Sequence, residues 1–218
     1  MRIRKEVFMK IKRLWIPGCL IWIAALMFWS SPAWTDDFDR LRADASRIKT
    51  MQADFTQKKS MKILSKPLLS EGRFYFAAPD SIRWEYIRPL KSAVISSQGE
   101  TKRYMASGGR MVEDTGSGVL AMGIVLDEVA GWMSGRFDAN PSFRASLRNE
   151  KTMAFITLTP VGEGMAGIMQ RIEIAVSRSD ATVKTVRMIE SDTAETLIEF
   201  RNVRINEALP DGVFRDVR

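Results

Sequence analysis

Gly72-Arg73-Phe74-Tyr75-Phe76-Ala77-Ala78-Pro79-Asp80-Ser81-Ile82-Arg83-Trp84-Glu85-Tyr86 is the stretch that decides the fold. It alternates with period two, the signature of a strand with one face buried. Phe74, Phe76 and Ala78 share one side. Pro79-Asp80 supplies a turn. On the return, Ile82, Trp84 and Tyr86 share a side, with Arg83 and Glu85 opposite. Two aromatic faces joined by a tight turn predict an antiparallel pair packed against a core.

The pattern extends both ways. Ser92–Ser97, Thr101–Met105 and Arg110–Glu113 read as further strands joined by Gln98-Gly99-Glu100 and Gly108-Gly109, which continues the meander. Upstream, Met51–Gln57 alternates with Met51, Ala53 and Phe55 on one face. Residues 58–69 read as a polar connection. Phe38, Leu41, Ala45 and Ile48 recur at helical spacing, predicting a short helix over 37–50.

From Leu120 to Met133 the period becomes helical and the apolar arc is wide. Such a helix is either buried or covers something greasy. After Pro141 strands resume over 143–148, 154–159, 169–176, 183–190 and 196–204, with 161–167 as a flexible connection. This is a mainly β, α+β chain. A sheet this long curls to hide its inner face. Curled around its short helices, it becomes an incomplete half-barrel of curved antiparallel sheet closed by a helical lid or plug. Such a fold carries an apolar cavity in its mouth.

Residues 1–33 read as an export signal. A basic stretch, Met1–Arg13, leads into the apolar run Leu14–Trp29, with Ser31 and Ala33 placed for cleavage after Ala33. The alternatives are an uncleaved membrane anchor, for which the run is short, and a start at Met9. The rest, 34–218, is expected to be a single domain. Cys19, the one cysteine, sits too early in the apolar run for a lipoprotein box. The expected mature chain therefore makes no disulfide.

The formal charge of +7 is concentrated at the start. Residues 1–33 hold six bases and one acid, leaving 27 bases and 25 acids beyond them. That balance disfavours nucleic acid as a partner. The chain has no histidine, which removes Ser-His-Asp and Cys-His catalysis and histidine-bound zinc. No catalytic residue, metal site or cofactor is expected. An enzyme acting on lipids through Ser-Lys or paired carboxylates stays an alternative.

The ordered set of the first helix, Phe55-Thr56-Gln57, Gly72 with its aromatic strand, the Pro79 turn, Ile82–Tyr86, Ser97-Gln98-Gly99, Tyr104, the strand 196–204, Leu209-Pro210 and Phe214 resembles the periplasmic outer-membrane lipoprotein carriers of the LolA family. The resemblance implies a monomeric periplasmic carrier that shields acyl chains of lipoproteins, or of a related lipid. Its implied partners are an inner-membrane donor transporter and an outer-membrane receptor. It places Phe55, Phe74, Phe76, Ile82, Trp84 and Tyr86 on a lipid-binding cavity face. Leu120, Ile124, Val125 and Trp132 fall on the lid. For each of these, plain core packing is the competing explanation. The family sets an arginine latch just before the turn proline; here that position is Ala78, so an Ala78→Arg variant is expected to slow release. A second function class is a periplasmic lipid- or lipoprotein-sensing regulator of the same fold. The 13 methionines suit a shape-tolerant cavity as well as ordinary core.

Overall fold

The computed structural model describes residues 37–116 and 118–215. The proposed export signal over 1–33 lies outside them. In chain order come α1 (Asp37–Ala45), β1 (Thr50–Met61), β2 (Leu68–Ala77), β3 (Ser81–Arg88), β4 (Ser92–Ser97), β5 (Glu100–Ser107) and β6 (Arg110–Asp114). Then follow α2 (Gly118–Met133), β7 (Phe143–Asn149), β8 (Met153–Pro160), α3 (Glu163–Ala166), β9 (Arg171–Ser177), β10 (Val183–Ser191) and β11 (Ala194–Ile205).

The strands form one antiparallel sheet in the order β6-β5-β4-β3-β2-β1-β11-β10-β9-β8-β7, not closed into a barrel. Two meanders, β1–β6 and β7–β11, are joined by the long β1·β11 ladder, in which Phe55 faces Phe200. The sheet edges β6 and β7 are consecutive in sequence. The chain between them must therefore pass from one edge to the other, and α2 lies on that path. It packs against β3, β4 and β5.

Period-two burial builds the inner face. Phe74 and Phe76 of β2, Ile82 and Trp84 of β3, Ile156 and Leu158 of β8, Ile172 and Ile174 of β9, and Ile198 and Phe200 of β11 are buried in one cluster. Each such side chain removed from water contributes about 1.5–3 kcal/mol. Leu41 and Ile48, flanking the end of α1, join the cluster with Phe137. Arg42 of α1 donates to Asp138 at 2.9 Å, holding α1 against the segment that follows α2.

That segment turns at Gly135. The Arg136 N–H donates to the Gly131 carbonyl at 2.8 Å and the Gly135 N–H to that of Trp132 at 3.0 Å, closing α2 in a Schellman motif. Gly135 has φ +78°, and a Cβ there would lie 2.7 Å from the Arg42 Cα. The left-handed backbone and the contact with α1 both require glycine.

Three expectations are corrected. The first helix ends at Ala45 rather than residue 50, and Thr50 already opens β1. The reason is tertiary: Asn206, distant in sequence, accepts from the Lys49 N–H at 2.7 Å and donates to the Arg47 carbonyl at 3.1 Å. The polar stretch 58–69 is mostly strand, because β11 continues to pair with it (Lys58 with Leu197) and so does β2 (Lys59 with Leu68). The connection at 161–167 contains the single helical turn α3. In β1 a register shift between Gln52 and Asp54 breaks the strict alternation. Gln52 is buried there beside Met51 and Ala53.

Candidate functional site

Between α2 and the concave face lies an apolar pocket of about 300 Å³. Met122, Val125, Leu126, Val129, Trp132 and Met133 of α2 form its roof. One wall comes from Gln57 of β1, Trp84 and Tyr86 of β3 and Val94 of β4. The other comes from Val186 and Met188 of β10 and Ile198 and Phe200 of β11. α2 roofs the pocket because it is apolar over most of its circumference. α2 also comes close to the sheet at Gly123, where a Cβ would lie 3.0 Å from the Thr101 hydroxyl oxygen.

Of the six side chains expected on the cavity face, Trp84 and Tyr86 line this pocket. Phe74, Phe76 and Ile82 are 0% exposed and do not line it; Phe76 and Ile82 lie towards the α1 end of the strands, where Phe76 pairs with Met51 and Ile82, while Phe74 is the register partner of Trp84. Phe55 is also fully buried, under Trp84 and Tyr86, with ring centroids 4.7 and 5.3 Å away. These four form packed floor, with aromatic neighbours filling the space beside Phe55 and Phe74. On the lid, Val125 and Trp132 line the pocket, while Ile124 is 62% exposed on the helix exterior. Leu120 lies in α2, with its side chain outside the described residues.

Ala78 is exposed just beyond β2, its N–H donating to the Lys49 carbonyl at 2.8 Å, and it does not line the pocket. Arg83, on the outer face as its alternation implied, is buried. It donates to Glu85 and, at 3.1 Å, to the Val213 carbonyl, fastening the C-terminal segment to the back of the sheet. The α2 side is held partly by Asn140, which donates to Glu128 at 2.5 Å.

Polar groups are few at the pocket. The Tyr86 hydroxyl donates to Gln57 Oε1 at 2.8 Å. Burial pushes the Tyr86 phenol above its ordinary range, and Trp84 and Gln57 oppose that rise. The Trp84 indole approaches Tyr86 without hydrogen-bond geometry. Its N–H and that of Trp132 are both buried with no hydrogen-bond partner among the described residues. The arrangement is suited to burying apolar matter.

The walls from β10 and β11 are not among the cavity residues that the sequence indicates. Their alternation was readable, but the partner they face across the concave side was not.

The model of the outer membrane lipoprotein carrier protein LolA matches residues 46–111 and 127–216. The chain belongs to the LolA family. The outer-membrane lipoprotein carrier protein of Dechloromonas aromatica (strain RCB) is 24% identical over 179 residues, 81% of each chain. That of Methylibium petroleiphilum is 32% identical over 76 residues, 35% of this chain and 37% of that protein. This second match thus spans little more than a third of its relative's length. Among solved structures, an uncharacterised conserved protein from Thermus thermophilus superposes with TM-score 0.51 at 11% identity. The match covers 83% of this LolA-family chain and 91% of the Thermus protein, and it speaks for the fold alone. Among the described residues no helix is long and apolar enough to cross a membrane.

Proposed function

We propose that this LolA-family protein is an exported periplasmic carrier that shields acyl chains of lipoproteins, or of a related lipid, during transfer from inner to outer membrane. The observation that carries the reading is the pocket beneath α2, whose lining is apolar apart from Gln57, the Tyr86 hydroxyl and the indole N–H groups. Each CH₂ exposed to water costs about 0.8 kcal/mol, so chains crossing an aqueous space need such a shelter. Release needs a movable wall, and a helix laid across an open sheet supplies one. Met122 and Met133 in the roof and Met188 in one wall make the pocket adaptable to chain shape. Residues 1–33 act as the cleaved export signal on this reading, and 34–218 is the carrier domain. No bond is made or broken.

The test is mass spectrometry of lipids that co-purify with the exported protein, beside a Met188→Glu variant. Met188 is half-buried, so the new charge enters the pocket without being forced into the packed floor. Acylated lipoproteins on the parent and not on the variant support the carrier. Cargo that binds but is never passed to acceptor membranes supports the lipid-sensing reading instead. An empty, folded parent overturns both.

A further inference from the structure

One end of the sheet is both apolar and basic. β1 and β2 meet there in the turn 62–67, and register places the β3–β4 turn at 89–91 and the β8–β9 connection at 161–170 at the same end. Every residue from Lys62 to Leu69 is exposed. Ile63 is 89% exposed and Leu69 65%, with Leu64 and Leu68 between them. Leu90 at 75% and Ile168 at 69% stand on the neighbouring turns. Among the described residues, the exposed large apolar side chains found away from these turns are Met105 and Val112 of the β5–β6 hairpin and Ile124 and Val125 of α2. Single exposed apolar residues are ordinary; their gathering on the tips of one end is not.

The charge is one-sided in the same place. From Phe55 to Ser70 the chain carries Lys58, Lys59, Lys62 and Lys66 and no acid. Lys59 is paired with Glu190, while Lys58, Lys62 and Lys66 are exposed, as is Lys91 beside Leu90. The acids in the turns of this end, Glu163 and Asp192, belong to other connections, and Asp192 accepts from Gln170. The basic surface is therefore centred on the β1–β2 hairpin.

We propose that this end docks on a membrane surface bearing anionic headgroups, the β1–β2 turn entering the interface. Four of these apolar side chains stand on the β1–β2 hairpin and the others on neighbouring turns, so they project at the tips of this end. A fluid interface accommodates each tip separately. Lysines flanking the tips reach the phosphate level while their stems stay in the apolar layer. The inference does not rest on the cargo reading. It does place the pocket's Gln57, Tyr86 and Met188, which lie towards this end of their strands, nearest the membrane.

The test is co-sedimentation of the exported protein with vesicles of phosphatidylcholine alone and of an equal mixture with phosphatidylglycerol. The parent binds the mixed vesicles and weakens as salt rises. Ile63→Ser with Leu64→Ser weakens binding at least about tenfold. Lys62→Gln with Lys66→Gln weakens it about fivefold per lysine, on mixed vesicles only. Unchanged thermal midpoints show that these exposed changes leave the fold intact. A polarity-sensitive dye on Ser65→Cys shifts to the blue on mixed vesicles. Absence of vesicle binding overturns the proposal, as does equal binding by the variants. So does self-association of the parent that the Ile63/Leu64 variant abolishes, which makes the partner a second copy.

Discussion

The ring of Phe55 on β1 lies across Gly72 on β2, its register partner. A Cβ on Gly72 would fall 2.4 Å from Phe55 Cζ and 2.0 Å from the Glu85 carbonyl oxygen. The glycine is the absence of a side chain that lets Phe55 slide beneath Trp84 and Tyr86, and that layer is the floor on which the pocket rests.

Gly72→Ala is accordingly destabilising. The backbone carbonyl cannot yield as a side-chain tip would, so overpacking of about 1–3 kcal/mol is expected. Urea unfolding should show a lowered midpoint with an unchanged slope.

Gly123 is the matching point on the lid, set against Thr101. A Gly123→Leu substitution holds α2 away from β5 and leaves the pocket open. Binding of an apolar fluorophore to the unloaded protein should rise, while far-ultraviolet dichroism stays that of the parent. Gly123→Ala is the milder control, since its helix propensity gain of about 1 kcal/mol offsets the contact.

Trp132 loses an unpartnered N–H when replaced by phenylalanine. A buried donor left unsatisfied costs about 1–3 kcal/mol, which offsets the volume lost. Trp132→Phe is expected within about 1 kcal/mol of the parent, whereas Trp132→Ala costs about 3–5 kcal/mol. Chemical denaturation of the three proteins decides it.

Glu190 gives the fold an acid-side dependence. Partial burial pushes its pKa up, but hydrogen bonds from Lys59 and Thr196 with the Lys59 charge outweigh it, and the net direction is down. A carboxylate depressed in the folded state contributes stability above its unfolded value and loses it as pH falls through the folded one. Both side chains are partly exposed, so the contribution is under about 1 kcal/mol. The stability gap between the parent and Lys59→Met should close below the ordinary glutamate range, as followed by urea midpoints against pH.

Local patterning settles most of the strands, their faces and the meander over 72–113, though not the outer half of the β1–β2 hairpin or the β1·β11 pairing. Period-two alternation depends on adjacent residues, and 72–86 shows it without ambiguity. The apolar arc of 120–133 likewise announces a helix that covers something. It takes the folded chain to separate the inward side chains that enclose space from those that are packed solid. Phe74, Phe76 and Ile82 share a face with Trp84 and Tyr86, and alternation cannot tell them apart. What distinguishes them is what lies over them: Phe76 and Ile82 sit in the solid core towards α1, Phe74 is packed against Trp84 and Phe200, and Trp84 and Tyr86 face the α2 roof. The end of the first helix and the length of the β1–β2 hairpin were set from afar by Asn206 and β11. Periodicity assigns a face because it depends on neighbouring residues, while a cavity is the volume that distant elements leave unfilled.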